Sequence, residues 1–270
     1  MSKNNLFEKL SSKPFFILGP CVIESEKITL DIARHVHQLS LLFPEFTFVF
    51  KASFDKANRT SIDSYRGPGL EASIPIFKRI QEDFSLFTLT DIHQPGQAEQ
   101  LAECIDIFQI PAFLCRQTDL LLSVAQTGKV VNIKKGQFLS HSDIQHVVTK
   151  ITSQGNNQVL LTERGTMFGY NNLVVDYAGM FEMSQMGYPV VFDATHSVQK
   201  PGGQGNKSGG NREMAPVLAK AAAAIGIKGF FMETHPDPEN ALSDGPNMIK
   251  LDNLKTIIEN LRTIIVTTYL

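Results

Sequence analysis

The sequence predicts an α/β fold, a closed (β/α)8 TIM barrel, from three observations. Eight short runs of aliphatic, aromatic and β-branched residues alternate with eight helical patterns. From Cys21 to Glu233 the repeat averages about 30 residues, the size of one βα unit in such a barrel. The runs are apolar throughout, as parallel strands covered on both faces require, yet each ends in a polar or reactive residue. Eight units of this kind favour closure over an open doubly wound sheet.

The elements follow in order. Phe15–Leu18 is a first strand, ending at Gly19-Pro20-Cys21, and Ser25 caps a helix carried by Ile28, Ile32, Val36 and Leu39. Phe46–Phe50 is the second strand; it turns abruptly polar at Lys51, Lys56 and Arg59, three cations that repel one another unless anions sit among them. Leu70, Ile74, Phe77 and Ile80 mark the next helix, with Pro75 inside its first turns. Leu86–Asp91 is the third strand, and Pro95 opens a helix through Ala98, Leu101 and Ala102. The fourth strand is expected over 105–113, with a helix through Leu120, Leu121 and Val124 closed by Gly128. Val130–Lys134 is the fifth strand; its helix runs through Ile144, Val147, Val148 and Ile151 to Gly155. Val159–Arg164 is the sixth, with a helix from Asp176 to Met186. The seventh is expected over Val190–His196, followed by a Gly-rich loop and a helix whose stripe reads Val217, Leu218, Ala221 and Ile225. Phe230–Glu233 is the eighth, and Leu251, Leu254, Ile257, Ile258, Leu261 and Ile265 mark the last helix.

The chain is 270 residues, 43% hydrophobic, with a formal net charge of −2. That suits one domain over 1–270, with a polar N-terminal extension over 1–13. The charge supplies no global field for nucleic acid or anionic lipid. No apolar run approaches the roughly 20 residues of a membrane span. Cys21, Cys104 and Cys115 show no paired spacing, so a reducing cytoplasm without disulfides is expected. Cys104 and Cys115 have no polar companions and read as packing residues.

The strand tips carry Cys21, Lys51, Asp91, Gln109, Lys134, Arg164, His196 and Glu233. Burying so many polar groups together costs free energy unless they neutralise one another or hold a ligand. They sort by sign. Lys51, Lys56, Lys134 and Arg164 suit phosphate or carboxylate groups. Lys51 or Lys134 could instead pair with Asp55, Asp91 or Glu163, or act as a Schiff-base nucleophile. Closure makes strands seven, eight and one neighbours, so Cys21, His196, Glu233 and Asp244 can converge as ligands for a divalent ion of the Zn, Fe or Mn kind. Without that convergence Cys21 reads first as a small buried hydrophobe and His196 equally as a core or loop histidine, and His93 and His235 are rival ligands. A sugar-phosphate-binding barrel without catalysis is the alternative of another class. His35, His37, His141 and His146 read as surface residues.

Several motifs are more specific. Lys51-Ala52-Ser53-Phe54-Asp55-Lys56-Ala57-Asn58-Arg59, Tyr65-Arg66-Gly67-Pro68-Gly69, Gln109-Ile110-Pro111-Ala112-Phe113-Leu114, Arg116-Gln117-Thr118-Asp119-Leu120, the segment from Phe168 to Asp176, and His235-Pro236-Asp237-Pro238 closely resemble the 3-deoxy-D-manno-octulosonate 8-phosphate synthases. The likeness runs from about Phe15 to the last helix. It implies a TIM-barrel transferase that condenses phosphoenolpyruvate with D-arabinose 5-phosphate by an aldol-type reaction in lipopolysaccharide biosynthesis. It also implies a cytoplasmic homotetramer. By the same resemblance Lys51, Lys56, Gln109, Ala112, Lys134 and Arg164 hold phosphoenolpyruvate, and Asn58, Arg59 and Thr60 hold the sugar phosphate; the family usually has Ser where Thr60 stands. Gly19-Pro20-Cys21-Val22-Ile23-Glu24-Ser25 is similar to the members that use a divalent metal, whose ligands match Cys21, His196, Glu233 and Asp244. Lys51, Lys56, Asp91, Lys134 and His196 are the expected catalytic residues, with Asp91, His93 and His196 candidates for proton handling. The loops 198–212 and 236–248 are candidate lids. The related synthase of the aromatic pathway, which takes erythrose 4-phosphate, shares the barrel and the metal set but carries a Lys-Pro-Arg pattern where this chain has Lys56-Ala57-Asn58-Arg59.

Overall fold

A computed structural model describes residues 6–59, 61–167, 172–200 and 209–269. Thr60, the start of the motif at Phe168 and most of the Gly-rich loop lie outside the described residues. Eight parallel strands form the barrel: β1 (Phe15–Gly19), β2 (Thr47–Lys51), β3 (Phe87–Asp91), β4 (Ile107–Ile110), β5 (Val130–Lys134), β6 (Val159–Glu163), β7 (Val190–Asp193) and β8 (Gly229–His235). Each pairs with the next, and β8 pairs with β1 from Phe15↔Gly229 to Gly19↔Glu233, which closes the sheet.

The strands build two apolar layers because successive side chains alternate between faces. Phe15, Ile17, Val49, Leu89, Ile107, Val130, Leu160, Val191 and Phe231 point inward and pack together. Their neighbours, among them Phe16, Phe48, Phe50, Phe108, Val131 and Phe192, face the helices. Helix α1 (Leu6–Ser12) lies within the stretch expected to be a polar extension; it buries Leu6 and Leu10 against the inward layer. The same alternation carries the site. Two residues beyond an inward apolar residue comes another inward position, so Lys51 follows Val49, Asp91 follows Leu89, Gln109 follows Ile107 and Glu233 follows Phe231. The layer above the core is therefore polar, at the C-terminal mouth. Gly19 sits at this level because a Cβ there would lie 1.9 Å from the Lys51 carbonyl oxygen.

The outer helices α2 (Glu26–Leu42), α3 (Leu70–Phe84), α4 (Gly96–Leu101), α5 (Thr118–Gln126), α6 (Ile144–Thr152), α7 (Tyr177–Ser184), α8 (Met214–Ala224) and α9 (Leu254–Tyr269) follow the expected order. Ser25 accepts the Ile28 N–H at the start of α2, and Gly128 and Gly155 take positive φ after α5 and α6. Pro75 lies within α3 without breaking it.

Three expectations are corrected. The fourth strand ends at Ile110, because Pro111 has no N–H for the ladder and the chain turns into a 3-10 helix over Ala112–Leu114. The seventh ends at Asp193, whose carboxylate accepts the His196 N–H at 3.0 Å and so folds the chain back on itself. In α8 the fully buried stripe is Ala215, Ala219, Ala222 and Ala223; of the expected stripe Leu218 and Ile225 pack against the core at its edge, while Val217 and Ala221 are exposed. Cys104 and Cys115 are buried in the helix-facing core, as expected of packing residues.

Candidate active site

The polar layer opens into a cavity of about 480 Å³ at the C-terminal face. Lys51, Lys56, Asn58, Arg59, Asp91, Gln109, Ala112, Lys134, Arg164, His196, Glu233 and Asp244 line it, together with His93 and Gln199. Cys21 lies against its wall, next to Ser243 and Asp244. His235, a rival ligand by sequence, is buried 3.6 Å from Glu24 and does not line the cavity.

Three of the cations are matched by carboxylates. Lys51 Nζ donates to Glu233 Oε1 at 2.6 Å and to the carbonyls of Cys21 at 2.8 Å and Pro20 at 3.2 Å. Three acceptors thus surround the ammonium, a setting that suits a charge held in place better than a Schiff-base nucleophile. Lys134 donates to Asp193, so the partners expected by sequence, Asp55 and Glu163, bind elsewhere: Asp55 pairs with Arg66 and Glu163 with Lys135. Lys56 stands 3.8 Å from Asp91 and 4.0 Å from Glu233. Burial alone would lower the Lys56 ammonium, but the negative groups around it, Glu233 and Asp91 among them, prevail and raise it. Burial opposes ionisation of Asp91 and Glu233 too; the lysines beside them outweigh it and hold both below the usual carboxylate range.

Two guanidinium groups are left over. Arg59 Nε donates to the Tyr65 carbonyl, but its buried Nη2 has no partner. Arg164 Nη2 donates to Gln199, and its buried Nη1 has none. Buried N–H groups are rarely unpaired, and two such groups in one cavity call for anionic acceptors. Beneath them a ladder of polar side chains fixes the floor. Ser53 donates to Asp91 at 2.5 Å and Gln109 donates to the other Asp91 oxygen. Asn132 donates to Gln109 at 2.9 Å and Thr162 to Asn132 at 2.6 Å.

The donor set at the β7–β8–β1 junction fits a divalent cation. Single ligand atoms of Cys21, Glu233 and Asp244 lie within 4.8 Å of one another. Glu233 Oε2 is buried with no hydrogen-bond partner. His196 stands beside this group rather than within it: Asp193 holds its Nδ1 at 2.8 Å, and its Nε2 is 3.6 Å from Glu233 Oε2. A thiol, two carboxylates and an imidazole suit zinc, iron or manganese better than calcium or magnesium. Burial, then the nearby Glu233, pushes the Cys21 thiol up.

Sequence reasoning missed Asp193, Gln199 and Ser243. Asp193 was findable, since it occupies the inward position two residues after Val191. Gln199 lies in a two-residue ladder against Gly209–Gly210 and Ser243 in a loop, both too short or irregular for a period to mark direction.

Fold and site define a TIM-barrel protein whose C-terminal face joins a cluster of cations, two with buried, unpartnered guanidinium arms, to a set of thiol and carboxylate groups. The model of the DAHP synthetase I family matches residues 9–267, and the chain belongs to that family. It is 54% identical to a 2-dehydro-3-deoxyphosphooctonate aldolase of Cyanothece sp. over 93% of this chain and 92% of that protein. Proteins of the same name from Desulfatibacillum aliphaticivorans (52%, covering 97% and 95%) and Francisella tularensis subsp. holarctica (51%, covering 95% and 93%) are also similar.

Proposed function

We propose that this protein condenses phosphoenolpyruvate with D-arabinose 5-phosphate and water to give 3-deoxy-D-manno-octulosonate 8-phosphate and inorganic phosphate. The observation that carries this reading is the pair of unpartnered, buried guanidinium arms on Arg59 and Arg164 in one cavity. They suit two phosphorylated substrates, and relatives at 51–54% identity bear the name of this activity.

Lys51, Lys56, Gln109, Ala112, Lys134 and Arg164 form the phosphoenolpyruvate subsite. Asn58 and Arg59, with Thr60 beside them in sequence, form the sugar phosphate subsite. C3 of phosphoenolpyruvate forms a bond to the aldehyde carbon, water adds at C2, and the C2–O bond to phosphate breaks. The buried ammonium and guanidinium groups stabilise the negative charge that gathers on the departing phosphate. Lys51 acts by charge rather than as a nucleophile. Asp91 stays ionised and anchors Lys56 and Gln109. His93, which lines the cavity, is the group for proton movement at the aldehyde oxygen and the added water, while His196, its Nδ1 held by Asp193, would offer Nε2 to the cation. Cys21, His196, Glu233 and Asp244 would hold one divalent ion, which when bound supplies a Lewis acid or lowers the pKa of water. We place the protein in the cytoplasm as a homotetramer; exposed Phe138, Met167 and Val174 line one hollow and supply apolar surface for self-association.

The test is phosphate release from the two substrates before and after chelation, with metals added back. Loss on chelation and recovery with one divalent ion supports the reaction and the metal. Activity with erythrose 4-phosphate alone, or binding without phosphate release, overturns the assignment.

Arg59→Ala is expected to raise the KM for arabinose 5-phosphate about 10- to 100-fold, the worth of a charge-assisted hydrogen bond. The KM for phosphoenolpyruvate should change by less than about threefold on the same scale. Steady-state titrations of each substrate check this, and equal effects on both would contradict the subsite.

A further inference from the structure

Gln199 joins the two halves of the site through its two amide atoms. Its Oε1 accepts from Arg164 Nη2 at 3.0 Å, and its Nε2 donates to Asp244 Oδ1 at 2.9 Å. Arg164 keeps its buried Nη1 free for an anion. Asp244 turns its other oxygen, Oδ2, toward Cys21 Sγ at 3.1 Å. A continuous chain of contacts therefore runs from the anion-binding arm to the thiol of the metal-competent cluster, with Gln199 at its centre.

Two further features bear on this bridge. The Gln199 N–H donates to the His196 carbonyl at 3.3 Å, so the backbone of the bridge is tied to another expected ligand. Asp244 has φ +49°, an uncommon conformation for a residue other than glycine. Its own carbonyl accepts the N–H groups of Asn247 and Met248, which fixes its backbone in a turn. The carboxylate is aimed by side-chain contacts, and Gln199 supplies the one on Oδ1.

We propose that Gln199 is a positioning residue that couples anion occupancy to metal affinity. An anion on Arg164 Nη1 fixes the guanidinium, the guanidinium fixes the Gln199 amide, and the amide holds Asp244 with Oδ2 turned to the cation position. By linkage, the cation tightens the anion by the same factor. The proposal rests on the phosphoenolpyruvate and metal reading above.

The experiment measures Zn2+ affinity of the metal-stripped full chain by competition with a chromogenic chelator, with and without saturating phosphoenolpyruvate. Wild type and Gln199→Leu are compared, the leucine keeping much of the volume but neither hydrogen bond. In wild type, phosphoenolpyruvate is expected to tighten Zn2+ about 10-fold or more, within the usual range of coupling between sites. In Gln199→Leu that ratio should fall at least about fivefold on the same scale, leaving only direct attraction between substrate and ion. Gln199→Glu, which still accepts from Arg164 but sets a negative charge against Asp244, should lose the coupling as well. A merely structural glutamine would weaken Zn2+ equally in both conditions and leave the ratio unchanged; that result overturns the proposal while the reading of the site stands. A wild-type chain that binds phosphoenolpyruvate but no Zn2+ would overturn the metal reading and the coupling together.

Discussion

Lys51→Met is expected to lower turnover about 10²- to 10³-fold, the effect of removing one preorganised charge donor from an active site. It should also destabilise the protein by about 3–5 kcal/mol. The reason is Glu233. Its carboxylate is 1% exposed and receives its closest charge from Lys51 at 2.6 Å. Without that ammonium it becomes a buried charge offset only by Lys56, 4.0 Å away, and by the His196 ring at 3.6 Å. For a chain of this size the loss corresponds to a fall in melting temperature of about 10 °C. The melt is measured after chelation, so that no bound cation masks the effect. The double variant Lys51→Met/Glu233→Gln, which removes both charges, should recover much of the stability but none of the activity. A single variant that melts like wild type, or a double variant no more stable than the single, would contradict this account of the pair.

Cys21→Ala is expected to leave the barrel folded while abolishing metal retention. Its sulfur is buried between Ser243 Oγ at 2.8 Å and Asp244 Oδ2 at 3.1 Å, and is the only sulfur in the cluster of potential ligands. Metal content after desalting should drop from about one ion per chain to nearly none, as loss of a ligand from a compact set implies. Turnover should fall at least about 100-fold. Elemental analysis, circular dichroism and phosphate release check the three parts separately. Undiminished turnover in the chelator-treated variant would remove the metal from the reaction.

How much of this was legible in advance depends on distance along the chain. The alternation of eight apolar runs with eight helices is local, and it predicted the barrel and its closure. Strand ends were less legible where a side chain intervened. Pro111 cut the fourth strand short by removing a ladder donor, and Asp193 cut the seventh by capturing the His196 N–H. The stripe of α8 was half legible: Leu218 and Ile225 do pack against the core, but the fully buried face is made of alanines, which carry little hydrophobic signal although they permit close packing.

At the site, residue types and strand ends were readable from the chain: lysines and an arginine for anions, and cysteine, histidine, glutamate and aspartate for a cation. The family motifs, Lys56-Ala57-Asn58-Arg59 above all, were readable in the same way. Tertiary structure alone decided which groups meet. Lys51 and Glu233 are 182 residues apart, Lys134 and Asp193 are 59 apart, and Gln199 reaches Asp244 across 45. The first two pairings follow from strand register and from the closure of β8 on β1, which bring residues remote in sequence to one level of the barrel, and the third from the loops that the closed barrel brings together above it. Local periodicity sets the face on which a side chain lies; only the closed sheet sets what lies opposite it.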